Sequence, residues 1–357
     1  MTKKINAPGQ RMGYDLYILF LAPLRAHWLV QIDEPSKAEV SCSNIASIRL
    51  RAATALYGQV QVSDEISYGW KLDKIPDILL VGKIGDGCQN NGLSDLWVKY
   101  IEEARTRGLP VIIDYTDNHL EANNQMTLFY QKLSNQFSNS LIWITPSPWM
   151  SDRLRMHGMQ HIFLIDDAIE VATRHFRKVS NDNDIPTFLW FGDVSNLGHL
   201  ISFLESAKST KSFKLNLNII SNPQVEKLLP DISCLRSANF SPWSISNLLN
   251  ASKLSDICLI PGDQSNLYKA GVGINRLATS LALGLPTFAT AYSSYRQLSE
   301  YYADIQDFNL NNYHSLMPYL SQDMDAPLFS KLKRFSLYNI GNKWLQRMRS
   351  SCAQDLQ

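Results

Sequence analysis

The sequence predicts an α/β fold class: two tandem Rossmann-like, doubly wound domains facing a cleft. Three observations predict it. The chain has 357 residues, and domains average roughly 150. Short runs rich in Val, Ile, Leu and Phe end in Gly, Asp, Ser or Asn and pass into helical patterns. That is the rhythm of parallel strands covered on both faces. The rhythm stops over 178–186, Lys-Val-Ser-Asn-Asp-Asn-Asp-Ile-Pro, and then restarts.

In the first half the runs that read as strands are 16–21, 59–62, 77–81, 111–114, 141–145 and 161–165. Helical spacing lies between them, over about 44–56, 93–107, 121–137 and 148–156. Run 16–21 is too short for a signal peptide and has the wrong flanks, so it is assigned as the first strand. Segment 178–186 is polar, aperiodic and closed by Pro186, which marks a linker. Beyond it strands are expected at 188–191, 215–220, 257–261 and 287–290, with helices near 196–208, 245–251, 274–283 and 295–302. The domains are therefore 1–180 and 185–325, followed by a tail, 326–357. The tail reads as one or two helices, with Leu328, Leu332, Phe335, Leu345 and Met348 on one stripe. Between Asp325 and Asp355 it carries six basic residues and no acidic one. This is either the solvated face of a docked terminal helix or a contact with an anionic membrane surface.

Composition excludes several classes. Lys+Arg 34 against Asp+Glu 33 leaves a net charge of +1. A protein that grips nucleic acid electrostatically carries a clear basic excess, so no nucleic-acid partner is expected. The five cysteines are scattered, with no C-x2-C pair, which fits a reducing compartment better than a disulfide framework. No apolar run reaches the ~18 residues of a spanning helix. The expectation is a soluble cytoplasmic protein, peripheral to a membrane at most. Asp182-Asn183-Asp184 mimics a D-x-D metal motif but lies in the linker. His157 and His161 are separated by Gly158 where a strand begins, so no metal site is expected.

In doubly wound sheets ligands gather after the carboxyl ends of strands. Segment 256–290 is a buried strand, a polar loop, a helix and a second strand. Lys269, Gly271, Gly273, Asn275 and Arg276 cluster at the start of that helix. Unpaired N–H groups, glycines and two cations suit an anion such as a diphosphate. The alternative is that the glycines shape a turn and the cations are solvated. In the first domain the densest polar cluster after a strand is 114–119, Asp-Tyr-Thr-Asp-Asn-His. Asp117 and His119 are the candidates to orient or deprotonate an acceptor hydroxyl. The alternative is a helix cap and a surface histidine. Arg49, beside Ser47 and Arg51 on the first helix, and Asp86, in the loop 82–87, are the candidate acceptor-binding residues.

Segment 256–290 resembles the donor-binding half of GT-B glycosyltransferases of the group 1, or family 4, type. Ala282-Leu283-Gly284-Leu285-Pro286 matches their Ala-x-Gly-x-Pro turn. Phe188-Leu189-Trp190-Phe191-Gly192 resembles the opening strand and glycine of their second domain. Ser241-Pro242-Trp243 with Ser255-Asp256 resembles the run into the donor strand, and Ile144-Thr145-Pro146-Ser147 a late strand of the first domain. The similarity is clearest over 185–305. It implies an acceptor domain followed by a donor domain, with a last helix crossing back onto the first. It implies that Lys269 binds a donor diphosphate, that Gly192 faces the donor and that Asn222 approaches the nucleobase. Ser195, Gly273, Asn275 and Arg276 complete the donor-binding set. No cofactor is implied beyond a nucleotide sugar as co-substrate, and no metal. The acceptor would be a glycan or lipid-linked hydroxyl in polysaccharide or glycolipid assembly.

Two departures stand out. Gly271 and Thr279 occupy the places of two glutamates that many retaining members carry, and the Arg and Lys that follow the opening glycine are replaced by Asp193-Val194-Ser195-Asn196-Leu197. Retaining and inverting chemistry both stay open. So does a binding or scaffold protein that kept the fold without activity, and a related cleft enzyme such as an epimerase or a polyol-phosphate transferase.

Overall fold

The computed structural model describes residues 23–32, 35–43, 45–58, 64–85, 92–174, 185–206, 214–308 and 325–354. The expected strands 16–21 and 59–62, candidate Asp86, and all of the linker except Ile185 and Pro186 lie outside the described residues.

Two six-stranded parallel sheets form the framework. The first has the order β2-β1-β3-β4-β5-β6: β1 (Arg25–Leu29), β2 (Glu65–Gly69), β3 (Ile78–Val81), β4 (Val111–Asp114), β5 (Ile142–Thr145) and β6 (Ile162–Leu164). The second runs β12-β11-β10-β7-β8-β9: β7 (Thr187–Phe191), β8 (Leu215–Ser221), β9 (Leu235–Pro242), β10 (Ile257–Ile260), β11 (Thr287–Ala289) and β12 (Ala303–Asp304). Central strands β3, β4 and β10 are buried at every position, as uniformly apolar runs require.

Apolar runs alone do not reveal four strands. Edge strand β2 alternates exposed and buried residues, and β9 is half-exposed along its length. β12 has two residues. β1 is central but contains His27, whose Nδ1 bonds the Ser67 hydroxyl of β2 at 2.8 Å.

The first unit carries α1 (Lys37–Ser41), α2 (Leu93–Thr106), α3 (Gln125–Phe137) and α4 (Pro148–Met156). The second carries α5 (Leu197–Ser206), α6 (Gln224–Leu228), α7 (Ile245–Lys253), α8 (Asn275–Ala282) and α9 (Asp325–Lys333), and α10 (Leu337–Gln354) ends the chain. Local chemistry starts these helices where they start. Ser147 caps α4 with Pro148 behind it, Asn124 and Thr127 form a capping box on α3, and Ser244 caps α7. Two expected helices are tighter or wider than α. Residues Ile48–Ala52 form a π-turn that continues as the 3-10 turn Ala53–Gly58, and Ser293–Tyr301 is 3-10.

The tail is two helices with different hosts. Leu328, Leu332 and Phe335 pack in the core of the second unit, with Leu277, Leu281 and Tyr295. Leu345 and Met348 pack in the first, with Trp28 and Ile340. So α10 crosses back over the first sheet. Trp344 meets Trp28 with ring centroids 4.8 Å apart. Most of the tail's basic residues are engaged inside the molecule. Arg349 grips buried Asp64 at 2.6 and 2.7 Å, Lys343 reaches Asp166 at 3.5 Å, and Lys331 pairs with Glu300. Arg347 lies over Phe163, and Arg334 donates to Gln297. These contacts fit the docked-helix reading. Among the described residues, no helix is long and apolar enough to cross a membrane.

The α10 crossing depends on two glycines. A Cβ at Gly341 would lie 2.5 Å from the Gly58 nitrogen and 2.6 Å from the Thr54 carbonyl. Backbone cannot yield as a flexible side chain does. Gly341→Ala is therefore expected to cost about 1–3 kcal/mol of stability, the usual range for overpacking. Urea denaturation checks it, and an unchanged midpoint contradicts the crossing.

Candidate active site in the cleft

A cavity of about 570 Å³ opens between the two units. The residues that line it follow strand ends: Lys83 after β3, Asp117 after β4, Asp167 after β6, Gly192 after β7, Asn222 after β8 and Trp243 after β9. All seven donor-side candidates (Gly192, Ser195, Asn222, Lys269, Gly273, Asn275 and Arg276) line it, as do Asp117 and Arg49. His119 does not.

On the second-unit wall, α8 begins after Ile274, whose side chain cannot cap it. Its first-turn N–H groups have no partner within the helix. The Arg276 guanidinium lies along the wall and donates Nε and Nη2 to the Phe191 carbonyl at 3.0 and 2.7 Å. Gly192 permits this, because a Cβ there would stand 3.2 Å from Arg276 Cζ. Lys269 Nζ sits over the Tyr268 ring at 4.7 Å and 3.8 Å from Asp117. Asp193 accepts from the Ser195 amide at 2.9 Å, so an acidic cap stands where the resemblance expects a cation. Asn222 accepts from the Gln224 amide at 3.1 Å and shapes its own turn.

The first-unit wall differs from expectation in three ways. Asp117 is ion-paired with Lys83 and faces Lys269. Although burial opposes it, the two ammonium groups hold its carboxyl well below the usual carboxylate range. It stays ionised and is a weak proton acceptor. His119 is fully buried rather than superficial. Its ring stacks on Tyr130 at 4.9 Å and tilts against Tyr268 at 5.3 Å, and among the described residues neither ring nitrogen has a hydrogen-bond partner. Burial pushes its pKa down to about 4, so the imidazole is neutral, and it does not line the cavity. Arg49 lines the cavity but is held by ion pairing rather than loose. It donates Nε to Glu170 at 2.6 Å and Nη1 to the Ser43 carbonyl at 2.6 Å, and it covers Trp243 at 4.9 Å. It is a strut between the units.

Two groups that the sequence reading did not single out complete this wall. One is Lys83. The other is Asp167, whose Oδ1 accepts from buried Arg51 at 3.2 Å. Burial pushes the Asp167 carboxyl up to about 6. Both follow strand ends, the place that topology marks.

The units meet along the loop before α8. Asn118 Nδ2 donates to the Leu267 carbonyl at 3.3 Å, and Ser147 Oγ to the Gly271 carbonyl at 2.9 Å. A Cβ at Gly271 would lie 2.7 Å from the Trp149 ring, and one at Gly273 would overlap Asp167 Oδ2. Both glycines thus admit the first unit. A side chain at Gly271, the place of one expected glutamate, would push Trp149 aside. Thr279, at the other, lines the cavity.

No family model and no curated protein sequence matches the chain. Solved structures do. Anabaena HepE in complex with UDP and glucose superposes with a TM-score of 0.57 at 12% identity, covering 92% of this chain and 100% of that one. AviGT4, a glycosyltransferase involved in avilamycin A biosynthesis, gives 0.55 at 13% identity over 93% and 99%. The lipopolysaccharide outer core galactosyltransferase WaaB in its apo form gives 0.50 at 10% over 91% and 99%. The chain has the GT-B fold. In this GT-B chain the two sheets supply opposite walls of the cleft.

His119 makes acid stability a test of the first-unit wall. Its folded pKa of about 4 lies below its unfolded value, so the unfolded chain binds the proton first. The contribution is intact above about pH 6.5 and is lost as pH falls towards 4, for a total of ~3 kcal/mol. His119→Phe, which keeps the stacking surface, is expected to flatten the fall of unfolding free energy over that window. Parallel profiles for wild type and variant contradict the placement.

Proposed function

We propose that the protein transfers a sugar from a nucleotide-sugar donor to a hydroxyl acceptor. The observation that carries the reading is the disposition of Arg276. Five cationic side chains line the cavity: Arg49, Arg51, Lys83, Lys269 and Arg276. The first four face carboxylates. Among the described residues, Arg276 donates to a backbone carbonyl and to no carboxylate. With the first turn of α8 and Asn275 beside it, it forms the anion-seeking part of the cleft. HepE, which shares the fold, was solved with UDP and glucose.

In this reading the donor's sugar C1–O bond breaks and its electron pair leaves on the nucleoside diphosphate. Arg276, Lys269 and the α8 amides meet the charge where it develops, the kind of stabilisation that is worth a few kcal/mol per donor. These cations supply the charge that a metal would otherwise bring, so the transfer is written without one. The acceptor lies against the first unit. Asp117, held ionised by Lys83 and Lys269, accepts a hydrogen bond from the acceptor hydroxyl and orients it. Its depressed pKa suits it to that task and not to removing the proton, so as the acceptor oxygen forms its bond to C1 the hydroxyl proton passes to the departing diphosphate oxygen. The acceptor class is a glycan or lipid-linked hydroxyl in polysaccharide or glycolipid assembly.

A second reading, a scaffold with the fold and no activity, draws on Gly271, Thr279 and Asp193 at places where the resemblance expects charged donor-site groups.

Thermal-shift measurements with UDP-, GDP- and ADP-sugars separate the two. One donor class is expected to stabilise the wild type. Arg276→Ala removes two charge-assisted contacts and is expected to weaken that binding about 10- to 100-fold, with Lys269→Ala weakening it too. No response of the wild type to any donor supports the scaffold. A response that survives Arg276→Ala overturns this donor site.

A further inference from the structure

Arg51 is fully buried and faces two carboxylates. Asp114, at the end of β4, takes Nε at 3.0 Å and Nη2 at 2.6 Å. Asp167 takes Nη1 at 3.2 Å, a nitrogen that also donates to the Ile165 carbonyl at 2.6 Å. One cation against two anions leaves the cluster one negative charge in excess. Such an excess in a dry site is relieved by taking up a proton. Asp167 is the member placed to take it. Its guanidinium contact is the longer, and its side chain is 13% exposed against 2% for Asp114.

The remaining oxygen, Oδ2, lies against Gly273, one residue before the cap of α8. That is the edge of the place assigned above to the donor diphosphate. Facing Asp167 are Arg51 from the π-turn, Asp114 from β4, the neighbouring Asp166, which is held by Lys343 of α10, and Gly273 of the loop before α8. Lys269 and Arg276 share the cavity. An ionised Asp167 would repel an incoming diphosphate, whereas a neutral one can donate to it.

Resting on the donor reading, we infer that Asp167 takes up a proton when a nucleotide sugar enters the cleft and, in that neutral form, donates a hydrogen bond from Oδ2 to the diphosphate. Donor binding is then linked to pH. Empty protein holds Asp167 with a pKa of about 6, so above that pH the proton must come from solvent. The association constant falls as pH rises past 6, by up to about tenfold per unit. Asp167 becomes a donor-binding residue that no aligned glutamate or lysine would reveal.

The test is calorimetric titration with UDP-glucose, GDP-mannose and ADP-glucose, whose diphosphates are diesters and do not titrate in this range. Heats at pH 7.5 in two buffers of different ionisation enthalpy count the protons. Wild type is expected to take up most of one proton per nucleotide sugar, and Asp167→Asn almost none, with tighter binding than wild type at pH 8. Asp114→Asn is the second variant. It leaves Arg51 matched by Asp167 alone, so uptake is expected to shrink there as well. Binding without proton uptake by wild type, or uptake that persists in both variants, overturns this inference and leaves the donor reading standing. No binding of any of the three removes both.

Discussion

Asp117 sits between two lysines, and the cleft is organised around that contact. Lys83 belongs to the first unit and Lys269 to the second. One carboxylate shared by two cations across a seam, largely screened from water, is held more strongly than a surface pair. It fixes the loop that carries Lys269. That loop then sets Gly271 against Trp149, Gly273 against Asp167 and the start of α8 against the cavity. The loop just before Arg276 touches the first unit at Leu267, Lys269 and Gly271, and Arg276 follows it into the cleft. The same contact explains why Asp117 is a poor base: an anion stabilised by two ammonium groups has little reason to accept a proton.

The second-unit wall was legible in the sequence because topology alone locates it. Residues after Phe191, Ser221 and Ile260 must face the cleft whatever their side chains do, and so must the start of α8. The first-unit wall was less legible. Asp117 and His119 are two residues apart, yet the 3-10 turn at His119–Glu121 carries the imidazole back onto Tyr130. Sequence spacing does not report that reversal. Arg49 reads as a loose cation until Glu170, 121 positions later, is seen to hold it. Asp167 was hidden for a similar reason. Its character comes from Arg51, 116 residues earlier, and from a shortage of positive charge visible only in three dimensions. Among strands, β1 escaped notice because His27 interrupts its apolar run, and β2 and β9 because edge strands need only one buried face.

The glycines carry a lesson about motifs. Gly271 and Gly273 suggested a phosphate turn, and both do line or border the cleft. Their missing side chains serve the contact between units, since the nearest atoms belong to Trp149, Met150 and Asp167. A glutamate at position 271 would require Trp149 to move. The chemistry of this cleft is accordingly built from charge on both walls rather than from a carboxylate on that loop. The C-terminal helix belongs to the same scheme. It closes over the first sheet through Trp344 and Arg349, and Arg51 lies over the Trp344 ring at 5.1 Å, so the tail also backs the buried Arg51–Asp114–Asp167 cluster.

The most direct measurement is a crystal structure of the protein soaked with a nucleotide sugar. The account places the diphosphate within hydrogen-bond distance of the Arg276 guanidinium and the first amides of α8, with Lys269 Nζ turned from Asp117 towards it. Density for the diphosphate on any other surface, with Arg276 still bound to the Phe191 carbonyl alone, would contradict it.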